Sequence, residues 1–238
     1  MKKSIGILLC VLLIFSISSC SFLSYTIADA MKLEQVCVKG TLDTWYKGTC
    51  DEQYLTMVDS TPEETAQYFE ESLLMEADYF AYYWTLYIEE LGESFDSLSE
   101  ELQTEVIELC REMYKHIKYE VVSSAKVEED SYAVKVLVYP VNLLGLANDS
   151  YIANGYKPLD DFYAEYENVS FEEMTDEEYF EYCERSAELT LQMIKEHLPN
   201  IGNMDAVSIM VQVDIIDGLY TINEDDLSEI DWNIIYYP

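Results

Sequence analysis

Hydrophobic positions recur along the chain with two different periods, and the switch between them divides it. From Thr61 onward, Phe69, Leu73, Ala77, Phe80, Trp84, Tyr87 and Leu91 return every three or four residues, which lays them along one stripe of a long amphipathic helix. Its start is marked by Thr61-Pro62-Glu63-Glu64: an N-cap threonine, proline at the first helical position and a capping-box glutamate. The helix is expected to stop at Gly92. Ahead of it, a helix over about 30–47 carries Val38, Leu42 and Trp45 on one face and ends at Gly48, and a helical turn follows at 51–58. A third helix opens near Ser97 or Ser99, with Leu102, Val106, Leu109, Met113 and Ile117 facing inward.

The period then falls to two. Tyr132, Val134, Val136 and Val138 alternate with Ala133, Lys135, Leu137 and Tyr139 until Pro140 closes the strand. With 119–127 as its partner and 128–131 as the turn, this is an antiparallel hairpin. Residues 141–170 are rich in Asn, Asp, Gly and Tyr and read mainly as connection, with a short helix around 160–167. A second capping box, Thr175-Asp176-Glu177-Glu178, launches a helix whose stripe is Phe180, Cys183, Ala187, Leu191, Ile194 and Leu198, ended by Pro199. Val207, Ile209, Val211, Val213 and Ile215 form one face of a further strand. Asp217-Gly218 is a tight-turn dipeptide, 219–222 returns along the sheet, and Asn223 caps a last short helix.

Strands of this alternating kind leave one sheet face buried and one polar, and amphipathic helices need such a face to cover. The expected fold class is therefore α+β, with amphipathic helices packed on one face of an antiparallel sheet of about four strands. The order of helices first and hairpins later resembles a cystatin-like or NTF2-like build. A single domain over 30–238 is expected. Thr61, Glu63, Glu64, Tyr68, Glu70 and Ser72 match Thr175, Glu177, Glu178, Tyr182, Glu184 and Ser186 at a constant offset, which raises an internal duplication with halves near 30–145 and 160–238. Capping boxes and acidic helices look alike without common descent.

The first twenty residues bear on location. Lys2 and Lys3 precede an apolar run over 5–15, and the segment closes with Ile17-Ser18-Ser19-Cys20. This is a secretory signal, and its end resembles the lipobox of bacterial lipoproteins. That resemblance implies removal of residues 1–19, a diacylglycerol on Cys20 and a tether over 20–29. Two acyl chains suffice for stable anchoring. The same segment also admits an uncleaved N-terminal anchor, although the run is short for a bilayer span, or cleavage after Ala28 or Ala30.

Composition narrows the partners. Half of the 238 residues are hydrophobic, so the chain can bury a core. The net charge is −34, two units lower once Lys2 and Lys3 leave with the signal. Such a charge repels nucleic-acid phosphates and anionic lipid heads, so no nucleic acid is expected and the membrane is reached through lipid alone. It gives solubility first, and it also attracts divalent cations and cationic peptides.

Beyond Cys10 and Cys20 the chain has Cys37, Cys50, Cys110 and Cys183, with no CxxC spacing and no cysteine suited to His116 or His197, so no zinc site is expected. An exported protein can hold disulfides, and Cys37–Cys50 is the plausible pair. Cys110 and Cys183 read as thiols on apolar helix faces. Both histidines fall at helix C-termini, where they complement the dipole. No GxSxG or comparable catalytic motif occurs, no carboxylate pair stands out among the 47 acids, and Asp214, Asp217, Asp225 and Asp226 suit turns and caps better than Ca²⁺. No catalytic residue, metal or cofactor is expected. Tyrosine is the odd abundance, at 21 residues. Tyr79, Tyr82 and Tyr83 flank the buried stripe of their helix: they are a candidate binding surface, or else the helix is broad and buried on two sides.

Tyr46-Lys47-Gly48, the turn to Val58, Thr61-Pro62-Glu63-Glu64, Gly218-Leu219-Tyr220 and Asp225-Asp226-Leu227 together are similar to a pattern in uncharacterised Firmicutes lipoproteins with a domain of unknown function. The resemblance implies an address and no activity. The expected function is that of an extracellular lipoprotein on the outer face of a bacterial cell membrane, a non-catalytic module binding a protein or glycan. The alternative is a cell-wall-directed glycan hydrolase using paired carboxylates.

Overall fold

In the computed structural model, which describes residues 31–86 and 95–238, the period-two stretches become one antiparallel sheet with strand order β1-β2-β3-β4. Its strands are β1 (Lys118–Glu128), β2 (Ser131–Tyr139), β3 (Val207–Ile216) and β4 (Leu219–Ile222). The helices are α1 (Leu33–Lys47), α2 (Glu52–Val58), α3 (Pro62–Tyr83), α4 (Glu100–Tyr114), α5 (Leu143–Asn154), α6 (Lys157–Tyr166), α7 (Asp176–Lys195) and α8 (Glu224–Ile234). The α+β class and the four-stranded antiparallel sheet stand as expected from the sequence.

The described chain forms two compact units, and it enters each more than once. The first comprises residues up to Ser72, Lys118–Pro140 and Asp205–Ile234; the second comprises Leu73–Ile117, Val141–Met204 and Ile235–Pro238. Both hairpins lie in the first unit, so its limits do not follow the halves of the suggested duplication.

In the first unit, Val134 pairs with Val211 and Val136 with Ile209 across β2 and β3. These residues, with Val138 and Val213, are buried, because a period-two apolar set points every branched side chain to the same face. Helices α1 and α8 cover that face with Val38, Leu42, Leu227 and Ile230. Helix α2 packs on α1 through Gly40, where a Cβ would come within 2.0 Å of the Tyr54 ring. Asp217 and Gly218 both take positive φ, 53° and 82°, in the β3–β4 turn, as a two-residue hairpin of this twist requires.

The second unit is helical. Leu73, Ala77 and Phe80 of α3, Val106, Leu109 and Met113 of α4, Leu143, Leu144 and Ala147 of α5, and Ala187, Leu191 and Ile194 of α7 are buried in it. Lys195 of α7 bridges Glu105 of α4 at 2.6 Å, and the Ser99 amide donates to Glu184 at 2.9 Å. The last residues are tied down as well. The Tyr236 amide donates to the Val141 carbonyl at 2.9 Å, and the Tyr237 hydroxyl donates to the buried Glu76.

Three local expectations need correction. Helix α3 ends at Tyr83, not near Gly92: Thr85 turns left-handed (φ 55°), the Leu86 amide donates to Ala81 O at 2.7 Å and the Thr85 amide to Tyr82 O at 3.2 Å. That is a Schellman stop with threonine where glycine is usual. Tyr87 and Leu91 lie outside the described residues. Residues 141–166 hold two helices: α6 falls where a short helix was expected, and α5 stands where connection was expected. The side chain that might have marked α5, Asn142, instead accepts from the Gly202 amide at 2.8 Å. On α7, Phe180 is exposed and Cys183 half-buried, so its inner stripe begins at Ala187.

Candidate functional site

Cys20, the expected lipid attachment point, lies outside the described residues. Cys37 and Cys50 are free thiols with different neighbours, so the expected disulfide is not formed. Cys37 Sγ points from α1 toward the Tyr220 carbonyl of β4 at 4.0 Å, whereas Cys50 Sγ lies 3.5 Å from Thr65 Oγ1. Burial pushes the Cys37 thiol up to about 12, which leaves it without the thiolate that disulfide exchange needs.

The expected tyrosine surface divides. Tyr79 and Tyr83 both pack edge-on against Tyr237 at 4.8 Å, and Tyr83 lies 5.9 Å from Trp84. These two rings serve the packing of the second unit, around the Glu76–Tyr237 hydrogen bond, and do not form an open surface. Tyr82 is exposed. The three positions therefore make no common binding face.

In the first unit the densest polar site is centred on Asp43. Its carboxylate is 6% exposed and accepts from Lys39, from Lys47 at 2.7 Å and from the Tyr119 hydroxyl at 2.5 Å. Burial pushes the carboxyl up, but these three donors outweigh it and hold it below the usual range. Burial and the carboxylate push the Tyr119 hydroxyl far up, so it stays a donor. Lys47 also sits 4.3 Å over the Tyr119 ring, and the Tyr46 hydroxyl donates to Asp231 of α8 at 3.1 Å. These polar groups pair with one another, so the network ties α1 to β1 and α8.

Aromatic residues of α6, α7 and the turn before α7 gather in the second unit. Phe162 stacks on Tyr182 at 5.2 Å with 23° between planes, while Tyr166 and Phe171 meet Tyr182 edge-on at 4.8 and 5.0 Å. Tyr179 lies 6.3 Å from Phe171. Offset and edge-to-face contacts of this kind are the favoured aromatic geometries. The group is not closed off: Phe171 is 46% and Tyr163 39% exposed. The Tyr163 hydroxyl lies 2.9 Å from Ser186 Oγ, which fixes its ring. The sequence reading missed this patch. Phe162 and Tyr166 recur at helical spacing, as do Tyr179 and Tyr182 with Ser186, and that repetition on two neighbouring helices was the available signal.

Other chemistry is sparse. Among the described residues no group of three or more His, Cys, Asp or Glu side chains could hold a metal ion. Asp214, Asp217, Asp225 and Asp226 have local roles: Asp226 accepts from the Gln212 amide at 2.7 Å and Asp214 from the Gln212 side chain. Asn223 caps α8 through the Asp225 and Asp226 amides. His116 follows α4 and His197 follows α7. A recess of about 240 Å³ between Tyr132, Met210 and Asp226 is smaller than the roughly 300–1,000 Å³ of ordinary ligand pockets. Among the described residues, the carboxyls of Asp43 and of the capping glutamates Glu64 and Glu178, which accept from the backbones of Thr61 and Thr175, are held below their usual range.

No family model and no curated protein matches the chain. Its fold is similar to the crystal structure of a candidate lipoprotein from Bacillus subtilis, with 13% sequence identity and a TM-score of 0.51. The likeness covers 86% of this chain and 56% of that one, so the chain spans little more than half of the protein it resembles. Among the described residues no helix is long and apolar enough to cross a membrane.

Proposed function

We propose that the chain is an extracellular bacterial lipoprotein, held on the outer face of the cell membrane through Cys20, and that it acts as a non-catalytic module binding a protein or glycan. The observation that carries the binding role is the exposed aromatic patch of α6 and α7. Rings that pack on one another are held rigid, so a partner meets them at little cost in side-chain entropy. The anchor rests on the lipobox-like Ile17-Ser18-Ser19-Cys20 and agrees with the fold likeness to a candidate lipoprotein. The alternative, a glycan hydrolase, would use a pair of carboxylates flanking a sugar in an open cleft.

The test has two arms. Cys20→Ala is expected to release the protein from membranes or block its processing; unchanged retention and acyl labelling would refute the anchor. The double variant Phe171→Ala/Tyr163→Ala is expected to lose retention on cell-surface material while keeping its melting temperature. Retention equal to that of the parent chain would remove the patch as the binding surface.

A further inference from the structure

We infer that the α6–α7 aromatic patch is a docking surface for a lysine- or arginine-rich peptide segment of a partner protein. This rests on the binding role proposed above and narrows it to one class of partner. The argument is charge complementarity around exposed rings.

Acidic residues are interspersed along α6, α7 and the turn between them with the residues of the patch, and several have fold roles that account for them. Asp161 pairs with Lys157, Glu188 pairs with Arg185 at 2.5 Å, Glu178 caps α7, and Asp176 and Glu177 stand in its first turn, where the dipole favours acids. Four exposed acids have no such role among the described residues: Glu165 and Glu167 at the end of α6, Glu173 two positions after Phe171, and Glu181 next to Tyr182 in sequence. The two cations of this region, Lys157 and Arg185, are both already paired. Aromatic faces are negative at their centres and attract ammonium and guanidinium groups, and exposed carboxylates on the same two helices and the turn before α7 favour the same groups. A neutral sugar would use the rings and leave the acids idle; an anionic polymer would be repelled. The overall charge of −34 adds long-range attraction for a basic segment.

That same charge attracts any polycation weakly and without specificity, so the rings and the acids must be tested apart. The purified full chain is titrated at physiological ionic strength with a lysine- and arginine-rich dodecapeptide, with its glutamine-substituted neutral counterpart, and with a neutral chito-oligosaccharide. Saturable binding of the basic peptide alone is expected. Phe171→Ala/Tyr163→Ala, which leaves every charge in place, is expected to weaken it about tenfold, the combined worth of two exposed cation–π contacts. Glu165→Gln/Glu173→Gln/Glu181→Gln, which leaves every ring in place, is expected to weaken it and flatten its salt dependence. All five substituted positions are exposed, and thermal melts verify that both variants remain folded. Basic-peptide affinity unchanged by ring removal means unspecific attraction and overturns the inference. Ring-dependent binding of the oligosaccharide without the basic peptide overturns it too, while leaving the patch as a binding surface. No ring-dependent binding of any probe, joined to unaltered cell-surface retention of the ring variant, overturns both readings.

Discussion

Replacing Tyr119 by phenylalanine removes one hydroxyl from the Asp43 network and nothing else. The ring keeps its place, 6.3 Å from Tyr46 and under Lys47, so no cavity larger than an oxygen opens. Asp43 Oδ1 loses its 2.5 Å hydrogen bond from Tyr119 and retains the 2.7 Å contact to Lys47, while Oδ2 keeps Lys39. A hydrogen bond to a charged group contributes about 1.5–3 kcal/mol. Both lysines are about a third or more exposed, so solvent screens their share of the network and the buried phenol matters more than its neutrality suggests. The expected loss at pH 7 is about 2 kcal/mol, read from urea unfolding with Trp45, edge-on to Tyr46, as the fluorescent reporter. The pH dependence follows from Asp43. Its folded pKa is depressed, so its stabilisation is complete above the unfolded value of about 3.9 and is lost as pH falls through the lower folded value. The gap between parent and variant should therefore be full at pH 7 and narrow below about pH 4. A loss under about 0.5 kcal/mol at pH 7, within the range of a neutral surface substitution, or a gap that does not narrow in acid, would refute the network's role.

Three further outcomes are expected. Phe80→Ala should cost about 3–5 kcal/mol by opening a cavity at a fully buried site, whereas Tyr82→Ala, on the exposed side of α3, should cost under about 1 kcal/mol; equal melting temperatures would break the assignment of the α3 stripe. Thr85→Gly should raise stability by about 1 kcal/mol in the same unfolding assay, because a β-branched residue at φ 55° carries left-handed strain that glycine lacks; a loss would contradict the Schellman stop. Differential scanning calorimetry should give one transition, since each unit is assembled from separated stretches of chain and α3 runs from one into the other; two resolved transitions would count against a single cooperative fold.

The parts of the fold that were legible in the sequence are those where the local signal and the tertiary outcome agree. The valines and isoleucines of β2 and β3 alternate because one sheet face is buried, and the Thr175 capping box forms as read, with amide-to-side-chain bonds of 2.8 and 3.3 Å. Helix α5 was not legible. Its buried residues Leu143, Leu144, Gly145 and Ala147 are bunched at one end, and Asn148, Asp149 and Ser150 mimic a loop. The end of α3 was hidden because threonine fills a position that normally announces itself with glycine. The tyrosine abundance pointed to exposed rings without saying which helices carry them. Spacing places Tyr79 and Tyr83 beside a stripe without revealing that Tyr237, over a hundred and fifty positions away, packs against both. Likewise Phe162 and Tyr182 become neighbours only when α6 folds against α7.

If the patch of α6 and α7 is the proposed binding face, it lies within reach of a partner on intact cells. The direct measurement is photocrosslinking on intact cells, with a photoreactive phenylalanine analogue placed at Phe171, or at Ile152 as an exposed position outside the ring cluster. The account predicts a discrete crosslinked product from position 171 in the membrane fraction and none from position 152. No product from 171, or equal products from both positions, would contradict it.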